Sequence, residues 1–116
     1  MMQYWEKISE ETTEGFQIVF SAGIEDMHPR DLFDDSITDI SELCEKIDRF
    51  DLVWFVARVE CFKNGILLAS EYLGGCLYES YKQFFEEGDY YLDMREAAIL
   101  AARVEIRGLL EGVSYA

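Results

Sequence analysis

The sequence predicts an α+β domain, an antiparallel sheet of three to four strands with helices packed on one face. Three features of the chain lead there. Asn64-Gly65 stands between two apolar-rich runs, the signature of a two-residue hairpin whose central residues both take positive φ. Residues 15–23, GFQIVFSAG, alternate Phe16, Ile18 and Phe20 with Gln17, Val19 and Ser21, the period of a half-buried strand. Residues 36–49 and 89–112 repeat apolar side chains at helical spacing instead. With 116 residues, half of them hydrophobic, the chain makes one domain with a sizeable core.

Taken in order, residues 4–9 form a first, weaker strand, joined to the second by the polar turn EETTEG. The stretch DMHPRDLFDD (26–35) holds the only proline and reads as a loop with one helical turn after Pro29. Ser36 begins a helix through a Ser-x-x-Asp capping pattern with Asp39. Ile37, Ile40, Leu43, Cys44 and Ile47 supply its apolar face, and it ends near Arg49. Counting outward from Asn64-Gly65 pairs Lys63 with Ile66, Phe62 with Leu67, Cys61 with Leu68, Val59 with Ser70, Ala57 with Tyr72 and Phe55 with Gly74. That register puts Val53, Phe55, Ala57, Val59, Cys61, Leu68 and Tyr72 on the core face. The other face receives Arg58 opposite Glu71 and Val56 beside Leu73. Ser80 caps a short helix carrying Tyr81, Phe84 and Phe85 that stops at Gly88. A last helix starts near Asp89, with Tyr91, Met94, Ala98, Ala101, Ala102, Val104 and Leu109 as its stripe and Gly112 as its end.

The segment LGGC (73–76) is the one place where a ligand loop competes with architecture. It lacks the Gly-x-Gly-x-x-Gly spacing and the following Lys-Ser/Thr of a phosphate cradle. In the predicted register Gly74 makes room for Phe55, and Gly75 hosts a bulge. Cys76 is a poor candidate nucleophile, because the only histidine, His28, is far away in sequence beside Pro29. Cys44, Cys61 and Cys76 have no metal-ligand spacing and read as reduced, buried thiols of a cytoplasmic protein. The acidic run DDSITD lacks the ligand spacing of a calcium loop, and doublets such as Asp34-Asp35 or Glu86-Glu87 carry no acid-base signature. The expectation is a protein without catalytic activity, cofactor or metal. The longest apolar run, residues 52–57, is far too short to span a bilayer, and the first residues do not resemble a secretory signal.

Charge is the extreme property. Twenty-four Asp and Glu against ten Lys and Arg give a net charge of −14, so direct binding to nucleic acid or to anionic membranes is not expected. Residues 25–51 hold ten carboxylates against Arg30, Lys46 and Arg49. A second region, EEGDYYLD (86–93), interleaves acids with tyrosines, residues favoured at protein contacts because each ring carries a hydroxyl handle. In size, charge and the carboxylate run of 25–51, the chain resembles as a class the small acidic anti-defence proteins of phages and plasmids, of anti-CRISPR or anti-restriction type. The resemblance implies inhibition of a host nucleic-acid-binding complex by occupying its basic surface, with carboxylates imitating a phosphate array. The alternative is an immunity- or antitoxin-like protein, or an adaptor, binding another basic protein. In either case the candidate partner-binding residues are Glu25, Asp26, Asp31, Asp34, Asp35, Asp39 and Glu42, with Glu86, Glu87, Asp89 and Tyr90 as a second patch.

Overall fold

The computed structural model describes residues 4–33 and 39–114. The strands β1 (Trp5–Thr13) and β2 (Phe16–Ile24) are followed by the helices α1 (Pro29–Leu32) and α2 (Ile40–Asp48). The long hairpin of β3 (Val53–Lys63) and β4 (Ile66–Tyr78) comes next, then α3 (Tyr81–Glu86) and α4 (Asp89–Ser114). All four strands pair antiparallel in the order β1-β2-β3-β4, so the α+β class read from the sequence holds. Among the described residues no helix is long and apolar enough to cross a membrane.

Both hairpins use the same two-residue turn. Asn64 and Gly65 have φ of 52° and 80°, and Glu14 and Gly15 have 54° and 84°. The first turn is therefore much tighter than the EETTEG loop expected from sequence. Residues 10–13 stay extended because their polar side chains find partners: Lys7 reaches Glu10 at 2.8 Å, and Glu11 pairs with Arg95 of α4.

The β3–β4 register departs from simple counting in two places. Lys63 pairs with Ile66 and Phe62 with Leu67 as expected, but Cys61 then faces Ala69, so Leu68 is an extra residue on β4. Farther on, Ala57 faces Leu73 and Phe55 faces Cys76, so Gly74 and Gly75 together oppose Val56. Each extra residue moves the following side chains of β4 to the opposite face. Tyr72, expected in the core, is 60% exposed on the open face opposite Arg58, and Leu73 packs on the core instead. Arg58 therefore does not face Glu71. Its guanidinium lies 4.2 Å from the Trp5 ring centroid and pairs with Glu60 at 3.1 Å, with Tyr72 beside Trp5.

The core lies between the other sheet face and α3–α4. Phe16, Ile18 and Phe20 of β2 and Phe55, Ala57, Val59 and Cys61 of β3 are buried there. Phe84 of α3 meets Phe55 and Tyr78 edge-on, at ring-centroid distances of 5.6 and 5.1 Å. From α4 come Tyr91, Met94, Ala98, Ile99 and Ala102, and the two alanines bring the helix axis close to the sheet. The predicted stripe holds only in this first part. Ala101, Val104 and Leu109 are exposed, and the helix continues through Gly112 to Ser114.

α1 and α2 do not join this layer. They pack on each other, and Ile40 is buried outside the main core. The predicted cap Ser36 lies outside the described residues. Asp39 is the observed N-cap of α2, its carboxylate accepting the Glu42 N–H at 3.0 Å, and Arg49 ends the helix as expected. Ser80 caps α3 by accepting the Gln83 N–H at 3.1 Å. The cysteines are free; Cys61 and Cys76 are buried and Cys44 is half-buried.

Candidate functional site: an apolar cleft between two acidic segments

The bulge at Gly74-Gly75 determines what the LGGC segment does. Gly75 has φ of 67°, which glycine accepts without strain, and the extra residue leaves its N–H without a β3 partner. That N–H donates to Oε2 of Glu25 at 2.8 Å, while Oε1 of the same carboxylate accepts the Met27 N–H at 2.9 Å. The glycine pair does hold an anion, and the anion is the protein's own side chain. The Trp54 indole N–H donates to the Met27 carbonyl at 2.7 Å, and the Phe33 ring lies 5.9 Å from Trp54. The α1 segment is thereby fastened to the end of the β3–β4 hairpin.

This attachment forms one wall of a cleft of about 380 Å³, lined by Phe33, residues 73–78 of β4 and Tyr90 of α4. β4 is an edge strand, so the cleft runs along an unpaired margin of the sheet. Burial pushes the Cys76 thiol up to about 11, and the neighbouring Glu25 carboxylate adds to the effect, so this thiol holds its proton more firmly than an ordinary one. Burial also raises the Tyr78 phenol, with Cys76, Tyr90 and Glu87 contributing. Glu25 and Glu87, 62 positions apart in sequence, thus both act on side chains of this cleft.

A second cleft of the same volume is lined by Glu11, Phe85, Glu86, Gly88, Tyr91, Leu92 and Arg95. Its charges are consumed internally. Arg95 pairs with Glu11 at 2.5 Å and with Glu96 at 3.0 Å, Glu86 is held by Lys82 at 3.6 Å, and the Tyr91 hydroxyl lies 3.5 Å from Glu11.

Comparison with protein-family models, curated proteins and solved structures finds no match. The geometry therefore stands alone, and it sorts the sequence-predicted residues into three groups. Of the second patch only Tyr90, 60% exposed, lines the first cleft; Glu87 and Asp89 precede it in sequence, exposed and, among the described residues, without an ion pair. Asp26 and Asp31 are exposed and, among the described residues, without an ion pair on the segment that carries Phe33, while Glu25 is half-buried and occupied by Gly75. Asp39 and Glu42 belong to α2 and line neither cleft. Asp39 is spent on capping, and Glu42 pairs with Lys46 at 3.4 Å. Glu86 turns to the second cleft, and Asp34 and Asp35 lie outside the described residues. Among the described residues no group of three or more His, Cys, Asp or Glu is placed to hold a metal ion.

The apolar lining is what sequence reading missed. Phe33 lies in a stretch that reads as a loop, and for Gly74-Gly75 the sequence predicts room for a ring and a bulge but no cleft. The available signal was Leu32-Phe33, two large apolar residues in an otherwise charged loop directly after a proline-initiated turn.

Proposed function

We propose that this is a cytoplasmic binding protein that engages a basic surface of a partner protein or ribonucleoprotein and thereby blocks it, without itself binding nucleic acid or membrane. The observation that carries this reading is the convergence at the first cleft. Two acidic segments distant in sequence each give one ring, Phe33 and Tyr90, to one exposed apolar groove, and among the described residues their carboxylates at Asp26, Asp31, Glu87 and Asp89 have no ion pair. Apolar contact gives such a surface affinity, and charge gives it steering and choice of partner. In this reading the carboxylates stand where the phosphates of the partner's nucleic acid would lie, and the partner is of the nucleic-acid-binding kind.

The test is affinity capture on the immobilised protein, at low and high salt and with competing duplex DNA, using wild type and the reversal Asp26→Lys, Asp31→Lys, Glu87→Lys, Asp89→Lys. A basic nucleic-acid-binding protein released by salt and by DNA, and not captured by the reversal, is the expected result. Capture that the reversal leaves unchanged overturns the reading. A basic partner insensitive to competing DNA favours the immunity-like mode over nucleic-acid mimicry.

A further inference from the structure

We infer that the protein pairs with a second copy of itself, the two α4 helices lying antiparallel and back to back about a two-fold axis at Leu100. The inference is independent of the binding reading above and concerns the side of α4 turned away from the sheet.

A helix whose residues of one kind recur at intervals of three and four presents them as a single row, the form in which one helix meets another. α4 carries two rows. Tyr91, Met94, Ala98 and Ala102 form the first, and they are buried in the core. Asp93, Ala97, Leu100, Val104 and Arg107 follow at intervals of four, three, four and three, and at about 100° per residue they stand on the side opposite the core. Leu100 and Val104 are 63% and 58% exposed there. A single exposed leucine is ordinary. A heptad-spaced row with an apolar middle and a charge closing each end is a seam.

The charges identify what lies on that seam. Asp93 stands seven residues before Leu100 and Arg107 seven after it. A second α4 running antiparallel, with Leu100 against Leu100, therefore brings Asp93 of each copy to Arg107 of the other and sets Val104 of each beside the small Ala97 of the other. A parallel copy would put like charge on like. Among the described residues neither Asp93 nor Arg107 has an ion pair, so both are available. The face is its own complement, which is what a two-fold interface between identical chains requires.

The general repulsion between copies is weakest along this stretch. Residues 93–107 hold three acids and three arginines, a neutral balance in a chain whose net charge is −14. Ala97 and Ala101 add no bulk, so the two axes can approach to about 8 Å, the lower limit of ordinary helix packing. The seam runs along roughly 21 Å of helix, which places the contact at the small end of specific interfaces and makes the dimer reversible.

Sedimentation equilibrium of the intact protein from about 10 μM to about 1 mM, at physiological salt, is the test, and a monomer–dimer equilibrium is the expected result. Leu100→Glu sets two carboxylates against each other at the axis and should leave only monomer. Arg107→Asp turns both attractions into repulsions and should weaken dimerisation by roughly 10- to 100-fold, whereas Asp93→Arg with Arg107→Asp restores opposite charges and should return it to near the wild-type level. All three positions are exposed, so each variant should melt as the wild type does, and recovery in the double exchange separates a lost contact from a lost fold. A wild-type protein that stays monomeric throughout, a dimer indifferent to Leu100→Glu, or a double exchange no better than Arg107→Asp overturns the inference.

Discussion

Tyr90 and Tyr91 are consecutive residues of α4 that line different clefts of equal volume, about 380 Å³ each. Around Tyr91 the charges are matched: Arg95 bridges Glu11 and Glu96, and the phenol is buried beside Glu11. Tyr90 is open to solvent, and among the described residues the acids just before it, Glu87 and Asp89, have no ion pair. The difference separates a cleft whose charges are satisfied within the fold from one that has no ion pair at its lining residues. Volume does not distinguish them; the state of their charges does.

The comparison is sharpened most by truncating each tyrosine. Tyr91→Ala should cost about 3–5 kcal/mol, the range for removing a buried aromatic ring, while Tyr90→Ala should stay within about 0.5 kcal/mol. Denaturant unfolding of the two variants measures both, and similar losses would erase the distinction between the clefts.

Alkaline titration gives the next largest effect. The Tyr91 phenol is pushed up to about 12 from an ordinary value near 10, chiefly by burial. The folded protein therefore holds this proton more tightly than the unfolded chain does. The corresponding stability is intact below the unfolded pKa and is lost as pH rises through the folded one, on the order of 2 kcal/mol in all. Cys76, pushed up to about 11, adds a loss of the same sign at slightly lower pH. Tyr91→Phe should flatten the upper part of the alkaline limb.

A smaller effect is expected where the α1 segment is attached. Gly75→Ala places a Cβ 2.7 Å from the Leu32 side chain at a φ of 67°, and should cost about 1–2 kcal/mol. It should also perturb the amide signals of the first cleft while leaving those of the second. Smallest of all, Glu87→Lys with Asp89→Lys should change stability by less than about 0.5 kcal/mol, since both residues are exposed and, among the described residues, have no ion pair. Thermal melting that fell by several degrees would show these carboxylates to be structural.

The sheet was legible in the sequence to the extent that local chemistry sets it. Asn64-Gly65 dictates its own turn, and the first two pairs beyond it follow by counting. The error enters at Leu68, where nothing in the residue types announces an insertion, and grows at Gly74-Gly75, where the bulge could be anticipated but its effect on Tyr72 and Leu73 could not. α4 divides in the same way. Its stripe is read correctly while the helix lies on the sheet, as at Ala98 and Ala102, and fails at Val104 and Leu109, which are as apolar but exposed. Periodicity reports which face is greasy; whether a surface exists to meet it is a tertiary fact. The acidic residues were legible as a charge excess, but the groove between them depends on Phe33 and on the edge of β4, which come together only through the Glu25–Gly75 and Trp54–Met27 hydrogen bonds.

The bulges have another consequence. The outermost strands of the sheet, β1 and β4, both carry irregularities, one at Ile8 and two along β4. An uninterrupted outer strand of thirteen residues such as β4 would offer a long ladder of backbone donors and acceptors to any identical molecule it met. Shifting that ladder out of step limits how many hydrogen bonds a second chain can make in register, and so hinders the end-to-end growth from which fibrils form. The same irregularities that misplace Tyr72 in a sequence reading therefore break up the regular edge that a second copy would have to match.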